Sequence, residues 1–264
     1  MCYDCTNLLL LQGCDGSVLL DATSTVTGET ASPNNNSLRG FDVVDNIKTA
    51  VEAVCPGTVS CADILALAAN APLGDLHGLY CLSKDATSPA TVSEVNSAIP
   101  SPNSNMTFII SQFAAVGLNV QDTVVLSGAH TIGQARCISF SSRLYNFSGT
   151  GSPDPSINPV YLRTLQSACP KEVTLTLSGN WISPPRLRST MPTTLICRTT
   201  RVYYSPIKTP PLTRNTAPLA AAYAGTRGPS FTHLGRSMVK MGNISPLTGT
   251  QGEIRLNCRV VNPS

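Results

Sequence analysis

The sequence predicts an all-α fold with long connecting loops. Apolar residues recur at steps of three and four along several segments, and the alternation of apolar and polar residues that indicates strands is scarce. Hydrophobic residues make up 42% of the chain, which is too large a share for a disordered protein. These patterns favour a helical domain whose loops are rich in Gly, Pro and Ser.

The clearest predicted helix covers residues 37–54. Apolar residues recur there at three- and four-residue steps, from Phe41 to Val54, and such a period places them in one stripe along a helix. A short buried helix is predicted over 60–69, with Ser60 as its N-cap. Further helices are predicted over 107–116, 122–128 and 161–169, with helix or turn over 132–145.

Two stretches lack a helical period. Residues 72–102 are predicted to be irregular. Over 171–236 the residues Pro, Thr, Ser and Arg dominate, and Glu172 is the only acidic residue. A loop of about 60 residues is unusual inside a compact domain. We nevertheless expect a single domain over 1–264, because ordinary composition resumes at Ser237.

The composition excludes several functional classes. Charged residues make up only 12% of the chain and the net charge is +3, so we expect no nucleic-acid partner. No stretch approaches the length of apolar sequence that a membrane-spanning helix needs, so we expect no membrane partner.

The cysteines indicate an oxidising compartment. Ten cysteines are spread from Cys2 to Cys258 without paired CxxC motifs, so several disulfides are favoured over a zinc site. Sequons for N-glycosylation agree with secretion; they begin at Asn35, Asn105, Asn146 and Asn243. Residues 1–11 contain no positively charged segment and no apolar run of signal-peptide length. We therefore expect either that the true N-terminus is missing or that the chain as written is not exported.

Short motifs lie along the chain in a recognisable order. They are QGCDGSVLLD at 12–21, PN and NSLRGF within 33–41, VCPGTVSCADIL at 54–65, LSGAHTIG at 126–133, RLYNF at 143–147 and MGNISPLTG at 241–249. Because of these motifs the chain resembles the plant secretory (class III) haem peroxidases, as a degenerate member. The resemblance covers about 12–70, 95–170 and 237–264, whereas 1–11, 71–90 and 171–236 diverge.

The resemblance implies a fold, an activity and a set of cofactors. The fold is the helical one of plant haem peroxidases, incomplete because the first helices are missing and irregular at about 171–236. The activity is haem-dependent reduction of hydrogen peroxide with one-electron oxidation of small phenolic donors, which removes peroxide under oxidative stress. The implied cofactors are haem b and two calcium ions, and the protein is expected to be a monomer in the cell wall, the extracellular space or the vacuole.

His130 is the candidate ligand of the haem iron. It follows a predicted helix end among small residues, Gly128 and Ala129, which leave room for a flat macrocycle, and a neutral imidazole is a common axial ligand. From the residues alone, a contact at the helix C-terminus explains such a histidine equally well. The resemblance assigns it as the proximal ligand. It also implies haem contacts for Ser37, Leu126, Ala129 and Gly133.

Gly13, Asp15 and Ser17 form a candidate calcium site. They alternate, so that a carbonyl, a carboxylate and a hydroxyl can face one hard cation. A turn of small polar residues is the alternative explanation. The resemblance assigns them to a distal calcium site that Glu29 reaches through water, and it assigns Thr131 to a proximal one. Both sites are expected to be incomplete, because Leu8 stands at the position of one family ligand and the last Asp in the chain is Asp154.

The resemblance implies two disulfides and two further roles. The disulfides are Cys61–Cys258 and Cys137–Cys169. Asn34 matches the amide that orients the distal histidine in the family, and Pro100 matches a position beside the channel for the reducing substrate.

The residues that the family uses to cleave peroxide are missing. Asn7 stands at the position of the distal histidine, no histidine precedes His77, and no arginine precedes Arg39. The aspartate that accepts the N–H of the proximal histidine would fall in 171–236, where there is none. No catalytic residue is therefore predicted. Three alternatives stay open: a non-catalytic haem- or calcium-binding relative, a fragment without a stable fold, and an unrelated secreted binding protein held by disulfides.

Overall fold

The computed structural model of the chain describes residues 13–22, 29–30, 38–70, 83–101, 104–128, 135–155, 157, 159–171, 181–182, 216–225 and 227–263. The chain divides into two compact units. The first unit consists of Met1–Ile99, Val116–Leu118 and Gly235–Ser264, and the second of Pro100–Ala115 and Asn119–Leu234. The single domain over 1–264 stays a prediction.

Helices dominate the described residues, which confirms the all-α fold. The α-helices are α1 (Phe41–Val54), α2 (Cys61–Asn70), α3 (Val92–Ala98), α4 (Met106–Ala115), α5 (Val120–Gly128), α6 (Ser141–Tyr145), α7 (Pro159–Ala168), α8 (Ala217–Gly225) and α9 (Arg227–Gly242). Short 3₁₀ helices cover Ser17–Leu19, Cys137–Ser139 and Phe147–Gly149. Two-residue strands, β1 (Ala135–Arg136) and β2 (Trp181–Ile182), pair antiparallel.

In the first unit, α1 packs against α2 around an apolar cluster. Val44 of α1 and Ile64 of α2 meet Val18 and Leu19 there. Helix α1 begins four residues later than predicted, after its N-cap Gly40, which has a left-handed φ of 88°. Helix α2 begins as predicted, since Ser60 Oγ accepts a hydrogen bond from Asp63 N at 2.9 Å.

Helix α3 corrects the prediction that 72–102 is irregular. Thr91 Oγ1 accepts a hydrogen bond from Glu94 N, and the Glu94 carboxylate accepts one from Thr91 N at 2.7 Å. This reciprocal pair is a capping box, which satisfies two backbone donors at the helix start. The Thr-x-x-Glu pattern was present in the sequence, but the helix is too short for an apolar period to reveal it. Residues 71–82 lie outside the described part.

In the second unit, α6 and α7 enclose a second apolar cluster. It consists of Cys137, Phe140, Leu144, Ile157, Leu165 and Cys169. Helix α4 packs on α5, and α5 begins two residues earlier than predicted. Asn119 Oδ1 accepts from Asp122 N at 3.0 Å while Asp122 Oδ2 accepts from Asn119 N at 2.9 Å, and this second reciprocal cap determines where the helix begins.

Two predicted stretches differ in detail from the structure. Within 132–145, where helix or turn was predicted, the described residues form β1, a 3₁₀ turn and α6. The irregular segment predicted over 171–236 is wrong near its end, where α8 and the first half of α9 are helical. Helix α8 is rich in alanine, the residue that favours helices most, and it shows no amphipathic period for a sequence pattern to reveal.

Among the described residues, no single helix has the length and apolar character to cross a membrane. The bent pair Met106–Ala115 and Val120–Ser127 reaches that length and composition only when both helices are counted together across a 112° bend.

Candidate functional site

Most residues predicted to contact haem lie outside the described part. These residues are His130, Ser37, Ala129 and Gly133. Thr131, predicted to bind the proximal calcium, and Asn34, predicted to match the amide that orients the distal histidine, lie outside it as well. Leu126 is fully buried on α5, and α5 ends at Gly128, so the helix end that precedes His130 is present. Pro100 is buried just after α3.

The loop from Gly13 to Ser17 has a backbone that depends on glycine. Gly13 has a φ of 96° and Gly16 a φ of 63°, both in the left-handed region that disfavours other residues. A Cβ atom at Gly13 would overlap the carbonyl oxygen of Ile244, which accepts a hydrogen bond from Cys14 N at 3.2 Å. The loop is thus pressed against the segment that follows α9.

The structure brings three of the four predicted distal calcium residues into contact. Asp15 Oδ1 accepts hydrogen bonds from Ser17 N at 3.0 Å and from Ser17 Oγ at 2.6 Å. Glu29 Oε1 accepts one from Ala90 N at 3.0 Å. The Ser17 side chain also lies close enough to the Glu29 carboxylate to lower the pKa of Glu29. The fourth residue, Gly13, is held nearby because its carbonyl oxygen accepts from Asp15 N at 3.1 Å.

Burial shapes the electrostatics of the two carboxylates. Asp15 is 4% exposed and Glu29 is 1% exposed. Burial raises the pKa of Asp15, while its hydrogen bonds with Ser17 and the charge of Arg255 lower it. Burial also raises the pKa of Glu29, and the charge of Asp15 raises it further. Two buried carboxylates that repel each other gain from a nearby cation.

The predicted ligand atoms of Gly13, Asp15, Ser17 and Glu29 are all oxygens. Carbonyl, carboxylate and hydroxyl oxygens are the ligands that Ca²⁺ prefers, usually six to eight of them. In the described part of the chain, no group of three or more His, Cys, Asp or Glu side chains is arranged to hold a metal ion. Asp15 and Glu29 are the two carboxylates among the predicted calcium residues.

A buried carboxylate that the sequence analysis missed supports this loop. Asp85 is fully buried, and its carboxylate accepts hydrogen bonds from Ala62 N at 2.8 Å, Cys61 N at 3.1 Å and Arg255 N at 2.9 Å. It thereby caps the start of α2, where the helix dipole favours negative charge.

Arg255 links the same carboxylate to the loop from Gly13 to Ser17. It is fully buried, and its Nη2 donates a hydrogen bond to the carbonyl oxygen of Gly16. Its Nε lies 3.8 Å from Asp85 Oδ2. Asp85 and Arg255 are 170 residues apart in the chain, so no local pattern could have predicted the pair.

Both predicted disulfides are confirmed. Cys61 joins Cys258 across 197 residues, inside the apolar cluster of the first unit. Cys137 joins Cys169 across 32 residues, inside the cluster of the second.

Comparison with known proteins gives a consistent result. The family model described as "Peroxidase" matches residues 2–207. The chain is 43% identical to "Peroxidase 15" of Ipomoea batatas, over 98% of this chain and 80% of that protein. It is 43% identical to "Peroxidase 54" of Arabidopsis thaliana, over 98% of this chain and 73% of that protein. The "Lignin-forming anionic peroxidase" of Nicotiana tabacum is 41% identical, over 98% and 81% of the two chains.

Proposed function

The chain belongs to the peroxidase family, and we propose that its own residues bind haem b and calcium for the oxidation with hydrogen peroxide that this family catalyses. Plant peroxidases use haem and calcium in general. When bound, haem supplies the redox chemistry of the reaction. The observation that carries the proposal is the buried oxygen cradle of Asp15, Ser17 and Glu29 in a chain that matches the family almost from end to end.

We assign the role of axial iron ligand to His130. It is the histidine that follows the end of α5, and an imidazole suits haem iron. The buried Leu126 of the same helix, with Ser37, Ala129 and Gly133, would form part of the haem surroundings. Pro100 would border the path of the phenolic donor, and Asn34 would lie on the peroxide side.

The calcium proposal rests on charge. Asp15 and Glu29 are buried, and their pKa values are raised for lack of solvation. A calcium ion that contacts Asp15, Ser17 and the carbonyl of Gly13, with Glu29 reaching it through water, would neutralise both carboxylates. Thr131 would take part in the second calcium site.

A second candidate function is haem binding without catalysis. The observation that favours it is that Asn7 stands at the position of the family's distal histidine. Loss of a general acid or base typically slows a reaction by about 10²–10⁴-fold. We therefore expect slow reduction of peroxide by this chain, with small phenols as electron donors.

Haemin titration tests the iron ligand. The chain has three histidines, His77, His130 and His233, so single variants identify the ligand. We expect an intense Soret band on addition of haemin to the original protein and to His77→Ala, and a lost or shifted band in His130→Ala. An unchanged spectrum in His130→Ala would refute the assignment. Rapid mixing of the haem-loaded protein with peroxide then separates a peroxidase from a non-catalytic haem binder.

We also propose that the protein acts outside the cytosol as a monomer. Its plant relatives are generally secreted. Asn105, Asn146 and Asn243 of the predicted sequons are all exposed, as glycosylation requires. Expression behind a secretion signal should give a protein whose mass falls on treatment with an endoglycosidase, and gel filtration should give the mass of one chain. An unglycosylated product would contradict the proposed location, and a dimer would contradict the proposed state.

A further inference from the structure

A tyrosine, a histidine and a glutamine meet in the second unit. Tyr223 on α8 is 7% exposed, and its hydroxyl lies 2.7 Å from Nδ1 of His233 on α9. Gln121 on α5 places its Nε2 2.8 Å from the same hydroxyl and 3.0 Å from the same Nδ1. The two rings also meet edge to face, with centroids 5.5 Å apart. Neither the sequence motifs nor the proposed cofactor sites include these residues.

With the Gln121 amide nitrogen facing both rings, the three contacts favour one arrangement of the protons. The amide nitrogen of Gln121 can only donate. An N–H at Nδ1 of His233 would therefore face another donor at 3.0 Å, so the neutral tautomer with a bare Nδ1 fits the site. The Tyr223 hydroxyl, which accepts from Gln121, then donates its own proton to Nδ1. The phenol is thus hydrogen-bonded to a base that can accept its proton.

This arrangement solves the main difficulty of oxidising a buried phenol. Removal of one electron makes a phenol strongly acidic, and a buried phenol has no water to accept the proton. A positioned imidazole accepts it without a change of position. His233 is only half-buried, so the positive charge that it gains can be solvated in part.

We propose that Tyr223 and His233 form a one-electron donor site in which the electron leaves the phenol as the proton moves to the imidazole. The electron passes to a strong one-electron oxidant, the class of species that reaction with hydrogen peroxide generates in a peroxidase. The O–H bond of Tyr223 breaks, an N–H bond forms at Nδ1 of His233, and a neutral tyrosyl radical beside an imidazolium remains. A reducing donor returns the electron, and the proton returns to the oxygen.

Tyr145 provides a matched control. Its hydroxyl donates to the carbonyl oxygen of Cys169 at 2.6 Å and approaches that of Gln166 at 3.3 Å. A backbone carbonyl is too weak a base to hold the proton of an oxidised phenol. Tyr145 is also partly buried and lies in the same unit, so it differs from Tyr223 chiefly in its proton acceptor.

The test uses a flash-generated ruthenium(III) tris-bipyridine oxidant on the full chain without haem. Electron paramagnetic resonance after freezing measures the tyrosyl radical, and transient absorption measures its rate of formation. We expect the radical signal to fall markedly in Tyr223→Phe and to persist in Tyr145→Phe. In His233→Gln, which has no comparable base, radical formation should slow by about 10²-fold. A full signal in Tyr223→Phe, or an unchanged rate in His233→Gln, would overturn the proposal.

The design keeps this inference separate from the proposed function. The oxidant is supplied externally, so failure of haem binding does not affect the outcome. Circular dichroism checks that each variant is folded. Should Tyr223→Phe not fold, the rate in His233→Gln decides, because that variant retains the phenol. A slower rate in deuterium oxide for the original protein, lost in His233→Gln, would confirm that the proton moves to the imidazole.

Discussion

The two disulfide-bonded cores of this protein are assembled over very different chain distances. In the first unit, Cys61–Cys258 spans 197 residues and the buried partners Asp85 and Arg255 lie 170 residues apart. In the second, Cys137–Cys169 spans 32 residues. We call them the long-range core and the local core. Closing a longer loop costs more chain entropy, so the long-range core depends more on its cross-links and buried charges.

The ion pairs of the two cores show the same contrast. In the local core, Arg143 donates from Nε and Nη2 to Asp154 Oδ2 at 2.9 and 2.6 Å, and the two residues are 11 apart in the chain. In the long-range core, Asp85 accepts from backbone N–H groups of α2 and of the C-terminal segment. Asp85 thus joins distant segments, whereas Asp154 joins neighbouring ones.

The largest expected effect is removal of the long-range disulfide. A loop of 197 residues predicts a loss of about 5 kcal/mol in the free energy of unfolding for Cys61→Ala with Cys258→Ala, by the chain-entropy relation. The corresponding loss for the 32-residue loop of Cys137 and Cys169 is about 3–4 kcal/mol. Urea unfolding of both double variants measures the difference. Equal losses would show that loop length does not distinguish the cores.

The next effect concerns the buried charges. Asp85→Asn removes the strongest of the counter-charges that act on Arg255 and weakens three backbone hydrogen bonds. Breaking a buried ion pair typically lowers the free energy of unfolding by about 3–5 kcal/mol. We expect Asp85→Asn to lie at the upper end of that range and Asp154→Asn at its lower end. Asp45→Asn, at a partly exposed pair with Arg259, is the control and should cost about 0–1 kcal/mol. A larger loss in Asp154→Asn would contradict the comparison.

A third test uses pH and calcium at the long-range core. Burial raises the folded-state pKa of Asp15 and Glu29 above their ordinary values. Their contribution to stability is therefore fully present below the unfolded-state pKa and is lost as the pH rises through the folded-state pKa. We therefore compare the original protein with the double variant Asp15→Asn and Glu29→Gln in EDTA. As the pH rises, the free energy of unfolding of the original protein should fall relative to that of the variant.

Calcium should reverse that loss at neutral pH. A ligand at 100 times its Kd adds about 2.7 kcal/mol to the free energy of unfolding, so melting temperatures with and without calcium measure it. The double variant should respond little. A calcium response of equal size in both proteins would place the ion elsewhere.

The smallest effect is expected at two exposed helix caps, one in each unit. Thr91→Ala removes the hydrogen bond to Glu94 N, and Asn105→Ala removes the 2.8 Å bond to Phe108 N. Each should cost about 1 kcal/mol. Similar losses in chemical unfolding would show that the two units differ in their cores and not at their helix ends. A clear difference between the caps would mean that the long-range core also controls local helix stability.

How much of the structure could be predicted from the sequence also depends on whether a feature is local or long-range. Helices α1, α2, α4, α5 and α7 were predicted within a few residues of their bounds, because their apolar periods are local signals. Helix α3 was missed although its capping box is local, and α8 was missed because it is apolar on all sides. The disulfides followed from the family resemblance, since cysteine spacing alone allows many pairings.

The amino-acid order was sufficient to indicate most of the helices and the peroxidase family, and to single out the loop from Gly13 to Ser17. These are properties of short segments, where neighbours in the chain are neighbours in space. It could not indicate the partners of Asp85 and Arg255, or the meeting of Tyr223 with His233. Such contacts exist only after distant segments pack together, and the burial that gives them their energy is a property of the folded chain.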